Sequence, residues 1–474
     1  MQTYEKPVIH QLHSGLMNKF AGAKSSQQRI KSSIAGVPIE ALVEQYGSPL
    51  FVYSERTLRR QYRTMRNAFA TRYPDVTFGW SYKTNYLKAI CAIFHQEGAM
   101  AELVSKMEYD KAKALGVPGN QIILNGPHKP IETLEAAVLD GVTINVDHLD
   151  EIEDLESIAI RLDRTVNVGI RLNLDSGIQP CWSRFGFNLE SGQAMDAVLR
   201  IARSGKLRVT GLHSHIGTYI LDPNAYACQV KKMMAFGYEI EDAQGWRMDY
   251  IDIGGGFPSR SRLKGVYHSA DVIIPTIDEY AEAITDALWQ SIKPGHTPKL
   301  IIESGRAMVD EAGTLITSVC GTKRLPDGTR AYVMDAGVNL LFTGFWYRFD
   351  VALGQAVPGT LEPSVLYGPL CMNIDVIDEH ISLPPLSRGD RLVISTVGAY
   401  NNTQWMQFIE YRPNVVLISE AGDVELIRAA EDITDLERRE HLPSRLSLQP
   451  IADPNDLLTD TLRPDGVLSY SGAN

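Results

Sequence analysis

The sequence predicts an α/β fold in which a TIM (β/α)8 barrel is followed by a β domain of sandwich or barrel type. Three observations carry this. Between Thr77 and Ser304, eight short β-rich apolar runs alternate with longer amphipathic stretches, the pattern of βα units around a parallel sheet. Beyond about Val309 the runs stay strand-like, but the long helical stretches between them disappear. The chain of 474 residues, 44% hydrophobic and 22% charged, exceeds one ordinary domain and supplies ample apolar material for a large core.

In order the eight runs are TFGWSY (77–82), AMAELVS (99–105), QIILNG (121–126), VTINVD (142–147), VNVGIRL (166–172), RVTGLHSHIG (208–217), MDYIDIGGG (248–256) and KLIIES (299–304). Between them MEYDKAKALG, IETLEAAVLDG and DEYAEAITDALWQSI carry apolar residues at three- and four-residue spacing, as helices covering a sheet do. Eight such units over roughly 230 residues fit the barrel. The expected organisation is a polar extension over 1–35, a segment over 36–54 whose PLFVY (49–53) joins the β domain, the barrel over 55–309, and the β domain with its tail over 310–474. The strand-like runs of that last region are GTLITSVCGTKRL, RAYVMDAGV, RLVISTVGAY and NVVLISEAG.

Charge and composition narrow the function. A net charge of −11 and a pI near 5.5 argue against nucleic acid as a partner, because phosphate backbones reward dense Lys/Arg faces. Neither a signal-peptide-like stretch in the first thirty residues nor a membrane-length apolar run is present, so the expectation is a cytoplasmic protein without a membrane partner. Cys91, Cys181, Cys228, Cys320 and Cys371 show no CxxC spacing or His clustering, so no metal site and no disulfide framework is expected.

In a TIM barrel the reactive groups sit at the C-terminal ends of the strands. There the sequence offers Lys83 after the first run, Glu102 and Ser105 on the second, Arg171 on the fifth, His213 and His215 on the sixth, Gly254, Gly255 and Gly256 on the seventh, and Glu303 with Gly305 and Arg306 on the eighth. Lys83 follows an apolar-aromatic run, and a desolvated lysine has a lowered pKa that frees its amine for a Schiff base. Taken alone, a lysine that caps a strand and snorkels to water is the commoner case. The glycine triplet lets backbone amides approach an anion, as a phosphate does, although it equally makes a tight turn. Glu303 closes the apolar run LIIE, where a carboxylate needs a cationic partner: a pyridinium N–H, or a salt bridge to Arg306 or Arg171. His215 could stack on a ring or be a satisfied core histidine. Together they make a lysine, a stacking imidazole, a glycine cradle and a carboxylate around one site.

That set resembles the ornithine/diaminopimelate decarboxylase family, alanine-racemase-like barrels that bind pyridoxal 5′-phosphate. The resemblance runs from about Leu50 to Ile418. SYKTN resembles the family's YAVK(A/T)N, which implies that Lys83 forms the Schiff base; ELVSKMEYDKA implies acids at Glu102 and Glu108. GLHSHIGT resembles G(L/V)xFHxGS, implying that His215 stacks on the ring and Thr218 binds phosphate. IDIGGGFP matches the family's phosphate loop, ESGR resembles EPGR and places Glu303 on the pyridine nitrogen with Gly305 and Arg306 near the phosphate, and GAY makes Tyr400 a phosphate ligand. Arg171, at the C-terminal end of the fifth run, is counted with the expected cofactor-binding residues. YGPLCMNID resembles GPxCxxxD, a β-domain segment that reaches the neighbouring subunit's site, which implies a homodimer with shared sites and Cys371 as the proton donor to the carbanion centre. Asp335, Tyr347, Met372, Asp375 and Phe408 are the implied substrate-side residues.

Two departures bear on the substrate. Met372 stands where the family usually has the Asp or Glu that binds a distal amine, and Thr343 stands where diaminopimelate decarboxylases carry an Arg in DAGMNDLIRPALY. The expectation is therefore a pyridoxal-phosphate-dependent amino-acid α-decarboxylase acting on a small-molecule amino acid, free or carrier-linked, in a specialised biosynthetic pathway. The alternatives are diaminopimelate decarboxylation, amino-acid racemisation on the same fold, and a non-enzymatic regulatory homologue.

Overall fold

In the computed structural model of the chain, which describes residues 28–266 and 270–446, the eight apolar runs form eight parallel strands closed into a ring. After β1 (Leu50–Ser54) they are β2 (Val76–Ser81), β3 (Met100–Leu103), β4 (Ile122–Leu124), β5 (Thr143–Val146), β6 (Val166–Asn173), β7 (Leu207–Ser214), β8 (Tyr250–Asp252) and β9 (Lys299–Ser304). Each pairs in parallel with the next, and β9 returns to β2 through pairs such as Glu303 with Gly79, so the sheet has no open edge. Helices cover its outside. Those over Glu55–Ala70, Lys106–Ala114 and Ile277–Ser291 begin on Ser54, Ser105 and Thr276, whose side chains accept backbone N–H groups of the first turn; each such cap stabilises a helix by about 1 kcal/mol.

The strand period of two decides what faces the barrel lumen. Met100, Ile123, Tyr250 and Ile301 form one buried apolar layer. Two residues further along the same strands stand Glu102, Asn125, Asp252 and Glu303, all buried, so one layer up the lumen turns polar. Tyr250 Oη donates to Asn145 Oδ1 (2.8 Å), Asn145 Nδ2 to Asn125 Oδ1 (2.9 Å), and Asn125 Nδ2 to Glu102 Oε1 (3.0 Å). This ladder links the apolar layer to the carboxylates.

The β domain is a nine-stranded sheet built around the long strand β10 (Gly313–Arg324). The other strands are β11 (Arg330–Met334), β12 (Asp350–Leu353), β13 (Glu362–Tyr367), β14 (Val376–Leu383), β15 (Arg391–Ser395), β16 (Val415–Ile418) and β17 (Val424–Arg428). The first half of β10 pairs antiparallel with β1 and β15, its second half with β11. β1 also pairs in parallel with β16. Residues 28–35 are tied to this sheet, for example by the Lys31 N–H on the Leu353 carbonyl (2.8 Å). The remainder of the N-terminal extension and the chain beyond 446 lie outside the described residues. Among the described residues, those from Glu431 to Leu446 belong to a separate unit and include the short helix Ile433–Glu437, which buries no side chain. Among the described residues no helix is long and apolar enough to cross a membrane.

Candidate active site

A cavity of about 700 Å³ opens at the C-terminal ends of the barrel strands. Lys83, Glu102, Arg171, His215, Thr218, Gly255, Gly256, Glu303, Gly305, Arg306, Tyr347 and Tyr400 all line it. Residues from six strand ends and from the β domain therefore meet in one place.

Lys83 follows β2 in a short turn, Tyr82–Thr84, and its Nζ donates to Glu102 Oε2 at 2.5 Å. Protein surrounds the amine, yet 39% of the side chain opens into the cavity lumen. The expectation of a lowered pKa is corrected here. Burial pulls the ammonium pKa down, but Glu102, then Glu303 and Tyr400, outweigh it and hold the group above the usual lysine range. The amine is reachable, but it is freed by losing a proton to a neighbour rather than by desolvation.

Glu303 is 4% exposed and accepts from Asn125 Nδ2; His213 Nε2 lies 3.2 Å from its Oε2. Burial alone would raise its pKa, but His213 and Lys83 reverse that, so it stays ionised below the usual carboxylate range. Asp252 is its opposite, pushed well above the carboxylate range by burial and by the Glu303 charge. One oxygen of Asp252 takes the Gly254 N–H (2.9 Å), and its carboxyl is hydrogen-bonded to Glu303 through the retained proton. Donor atoms of His213, Asp252 and Glu303 lie within 4.8 Å of one another, so the pair of carboxyls carries one negative charge between them.

His215 accepts the Gly255 N–H at Nδ1 (3.0 Å), which places its remaining proton on Nε2. Burial, then the nearby Arg171 and Lys83 charges, lowers its pKa to about 3, so the ring is neutral. The Trp182 ring meets it edge-on at 5.4 Å. Gly254 and Gly256 have φ of 67° and 101°, a region that side chains rarely adopt. A Cβ on Gly255 would collide with the Glu303 carbonyl, and one on Gly305 with the Thr84 hydroxyl. Arg306 faces Asp310 at 3.5 Å and lies over the rings of Tyr347 (4.4 Å) and Tyr400 (5.0 Å). Arg171 is bound to Asp147 (3.3 Å) and stacks on Phe185 (4.5 Å).

Other expected residues are not brought to this wall. Asp335 accepts from Ser48 and Thr317 hydroxyls, each at 2.6 Å, inside the β domain. Asp375 is buried and holds its own loop through the Val338 and Leu370 N–H groups, each at 2.7 Å, with burial raising its pKa. Cys371 is exposed, Met372 and Phe408 are half-buried, and none of the three lines the cavity of its own chain. Gly254 does not line the cavity and gives its N–H to Asp252 (2.9 Å).

Sequence reading missed Asn125, Asp252, Trp182, Arg184 and Asp310. The first two close or interrupt apolar runs, which was a usable signal; Trp182 and Arg184 sit in a loop and Asp310 opens the short 3-10 turn Asp310–Ala312, none with such a signal. Glu108 is 3% exposed and accepts the Val104 N–H (2.7 Å), and burial pushes its pKa up to about 7. Its folded pKa exceeds its unfolded one, so its contribution is present below the unfolded value near pH 4.5 and is lost as pH rises to about 7. Glu108→Gln keeps the acceptor and removes the charge. Urea melts should show it more stable than wild type at pH 8 by on the order of 2 kcal/mol and equal to it near pH 4.5.

The profile of the pyridoxal-dependent decarboxylase pyridoxal-binding domain matches residues 55–310, more than half of the chain. Diaminopimelate decarboxylase of Methanocaldococcus jannaschii is 30% identical over 431 residues, covering 87% of this chain and 95% of the relative. The Bacillus subtilis enzyme of that name is 27% identical over 88% of this chain and 96% of its own. Among solved structures, the M. jannaschii diaminopimelate decarboxylase superposes with a TM-score of 0.79 at 28% identity, covering 90% of this chain and all of that one. Lysine/ornithine decarboxylase of Vibrio vulnificus, complexed with putrescine, gives 0.69 at 28% identity over 81% of this chain and 98% of that one. With a matching profile, matching length and a matching barrel, this chain belongs to the pyridoxal-dependent decarboxylase family.

Proposed function

We propose that the chain decarboxylates an amino acid without a distal ammonium group, free or carried on a larger molecule, with Lys83 holding the pyridoxal phosphate. One observation carries the substrate part. Of the residues lining the cavity only Glu102 and Glu303 are acids, and both are committed, the first to Lys83 and Asn125, the second to Asn125 and His213. A distal ammonium needs an uncommitted carboxylate, a contact worth roughly 1.5 to 3 kcal/mol. Met372 and Thr343 supply none, and the Thr343 hydroxyl is turned to Asn401 (2.9 Å).

The wall fits the cofactor: an amine open to the lumen, a buried ionised carboxylate, and a cradle that side chains would fill, beside one guanidinium. Bound there, pyridoxal phosphate supplies a pyridinium ring that takes up the electron pair left at Cα when the α-carboxylate departs as CO₂. Lys83, whose amine opens into the cavity, would be the residue that holds the cofactor. Glu102, at 2.5 Å, accepts the ammonium proton that its own charge otherwise keeps on nitrogen. Glu303, buried and charged, would hold the ring nitrogen and favour a proton on it. Neutral His215, its orientation fixed by the Gly255 N–H, would pack on the ring. The amides of Gly256 and Gly305, with Thr218, Arg306 and Tyr400, would take the phosphate, while the Gly254 and Gly255 N–H groups, held by Asp252 and His215, fix the loop that presents them. Because Cys371 lies outside its own cavity, this reading puts its thiol into the cavity of a second copy, where it returns a proton to Cα; the enzyme is then a homodimer with shared sites.

A second reading, diaminopimelate decarboxylation, is favoured by Arg184. This exposed side chain lines the cavity next to Phe185 and has no carboxylate partner among the described residues, so a substrate's distal carboxylate could take it. CO₂ release from a panel of amino acids separates the two. Neutral or acidic amino acids should exceed ornithine, lysine and meso-diaminopimelate in kcat/KM by about 10-fold or more. Turnover of meso-diaminopimelate at or above the best neutral substrate would overturn the first reading in favour of the second.

A further inference from the structure

Three separate segments are placed on the phosphate by the reading above: the glycine loop after β8, the turn after β9 that carries Arg306, and the Gly398–Tyr400 turn after β15. They meet at one side chain. Asp310, 1% exposed, accepts at Oδ2 from the hydroxyls of Ser259 and Ser261, the latter at 2.8 Å, and faces Arg306 Nη1 at 3.5 Å. Its Oδ1 takes the Ala399 N–H (3.1 Å), and its backbone carbonyl takes the Gly398 N–H (3.0 Å). The next residue, Tyr400, holds φ at 65°, a left-handed conformation, with its N–H on the Thr84 carbonyl (2.8 Å). Asp310 is the one ion partner of Arg306 among the described residues.

A carboxylate beside a phosphate-binding arginine has two opposed effects. Its charge repels the anion, which weakens binding. Its hydrogen bonds fix the guanidinium and both flanking backbones before the anion arrives, which strengthens binding. Four contacts converge on this one buried carboxylate, those from Ser261 and Ala399 at ordinary hydrogen-bond length and that from Arg306 at a long 3.5 Å, so loss of its charge is expected to cost more in ordering of the flanking segments than it gains in relieved repulsion.

We infer that Asp310 is the positioning residue of the phosphate clamp, locking the loop after β8, Arg306 and the Gly398–Tyr400 turn into one arrangement that favours the phosphorylated cofactor. The inference rests on the placement of the phosphate against Arg306.

The test compares equilibrium binding of pyridoxal phosphate and of pyridoxal, which lacks the phosphate, to the full-length apoenzyme, followed by visible absorbance. Asp310→Asn should raise the Kd for pyridoxal phosphate by about 10-fold or more while moving that for pyridoxal by less than about 3-fold. Equal losses for both ligands would make Asp310 a plain fold staple, and unchanged or tighter binding of the phosphorylated form would mean that repulsion wins; either overturns the inference. Arg306→Gln is the control for the underlying reading. If it loses the preference for the phosphorylated cofactor and Asp310→Asn does not, Asp310 has no positioning role and the phosphate placement stands. If neither variant is selective, the placement itself is wrong. Should Asp310→Asn fail to fold, the double variant Ser259→Ala/Ser261→Ala removes only the two hydroxyls and should give the same selective loss, smaller in size.

Discussion

Replacing Lys83 by alanine is expected to lower the decarboxylation rate by about 10⁴-fold or more, since the variant has no amine to hold the cofactor's carbonyl. The fold should survive. The Lys83 side chain makes one hydrogen bond, to Glu102, and its backbone carbonyl still takes the Thr403 hydroxyl (2.8 Å). Glu102 keeps the Asn125 amide as its partner. Two measurements check this beyond activity. Wild type mixed with pyridoxal phosphate should show the visible absorbance of a lysine-bound cofactor, and borohydride treatment should leave the cofactor's mass on the peptide that carries Lys83. The variant should show neither. Label on another lysine, or activity above about 1% of wild type, would remove Lys83 from the role.

The way Lys83 becomes reactive was the part least legible in the sequence. SYKTN places apolar and aromatic neighbours beside the lysine, and from those alone desolvation is the natural inference. What reverses it is Glu102, nineteen positions on, brought to 2.5 Å because β2 and β3 are adjacent parallel strands with Ser81 opposite Glu102. Pairwise Coulomb effects of this kind depend on strand register, and register is a tertiary property.

The barrel itself was readable because each strand's apolar run is bounded by turns and followed by a helix with its own period. Within the runs, the alternation that sends Met100 and Glu102, or Ile301 and Glu303, to the same face also sends Asn125 and Asp252 into the lumen, so these two could have been found from QIILN and YID. Trp182, Arg184 and Asp310 could not, since the first two belong to a loop and the third to a short helical turn, and the path of both is set by what they pack against. In the β domain, β14 was missed because VIDEHISL has no clear apolar alternation at an exposed sheet edge. The segment from Cys371 to Asp375 is the clearest limit: Asp375 spends its carboxylate on its own backbone, and where Cys371 acts depends on a second copy, which no single sequence displays.

Glu303→Gln is expected to lower kcat by about 10² to 10³-fold while leaving the cofactor bound. Glutamine has the same shape and can still accept from Asn125, so the wall keeps its form. It carries no charge, however, and a ring nitrogen facing a neutral amide is not held protonated, which removes the electron sink where it is needed most. The visible absorbance from Lys83 should therefore persist and the Kd for pyridoxal phosphate should change by less than about 10-fold, a split that a general loss of structure would not give. Asp252 complicates the result in a useful way. Its proton is retained because of burial and the Glu303 charge; with that charge gone, Asp252 ionises more readily and can stand in for part of what was lost. Glu303→Gln/Asp252→Asn should then fall below the single variant, whereas Asp252→Asn alone, an isostere of the protonated acid, should stay within about 3-fold of wild type. A Glu303→Gln enzyme of near-normal kcat, with the double variant no worse, would mean that the ring nitrogen takes its proton from elsewhere, and His213, 3.2 Å from Glu303, would be the group to examine next.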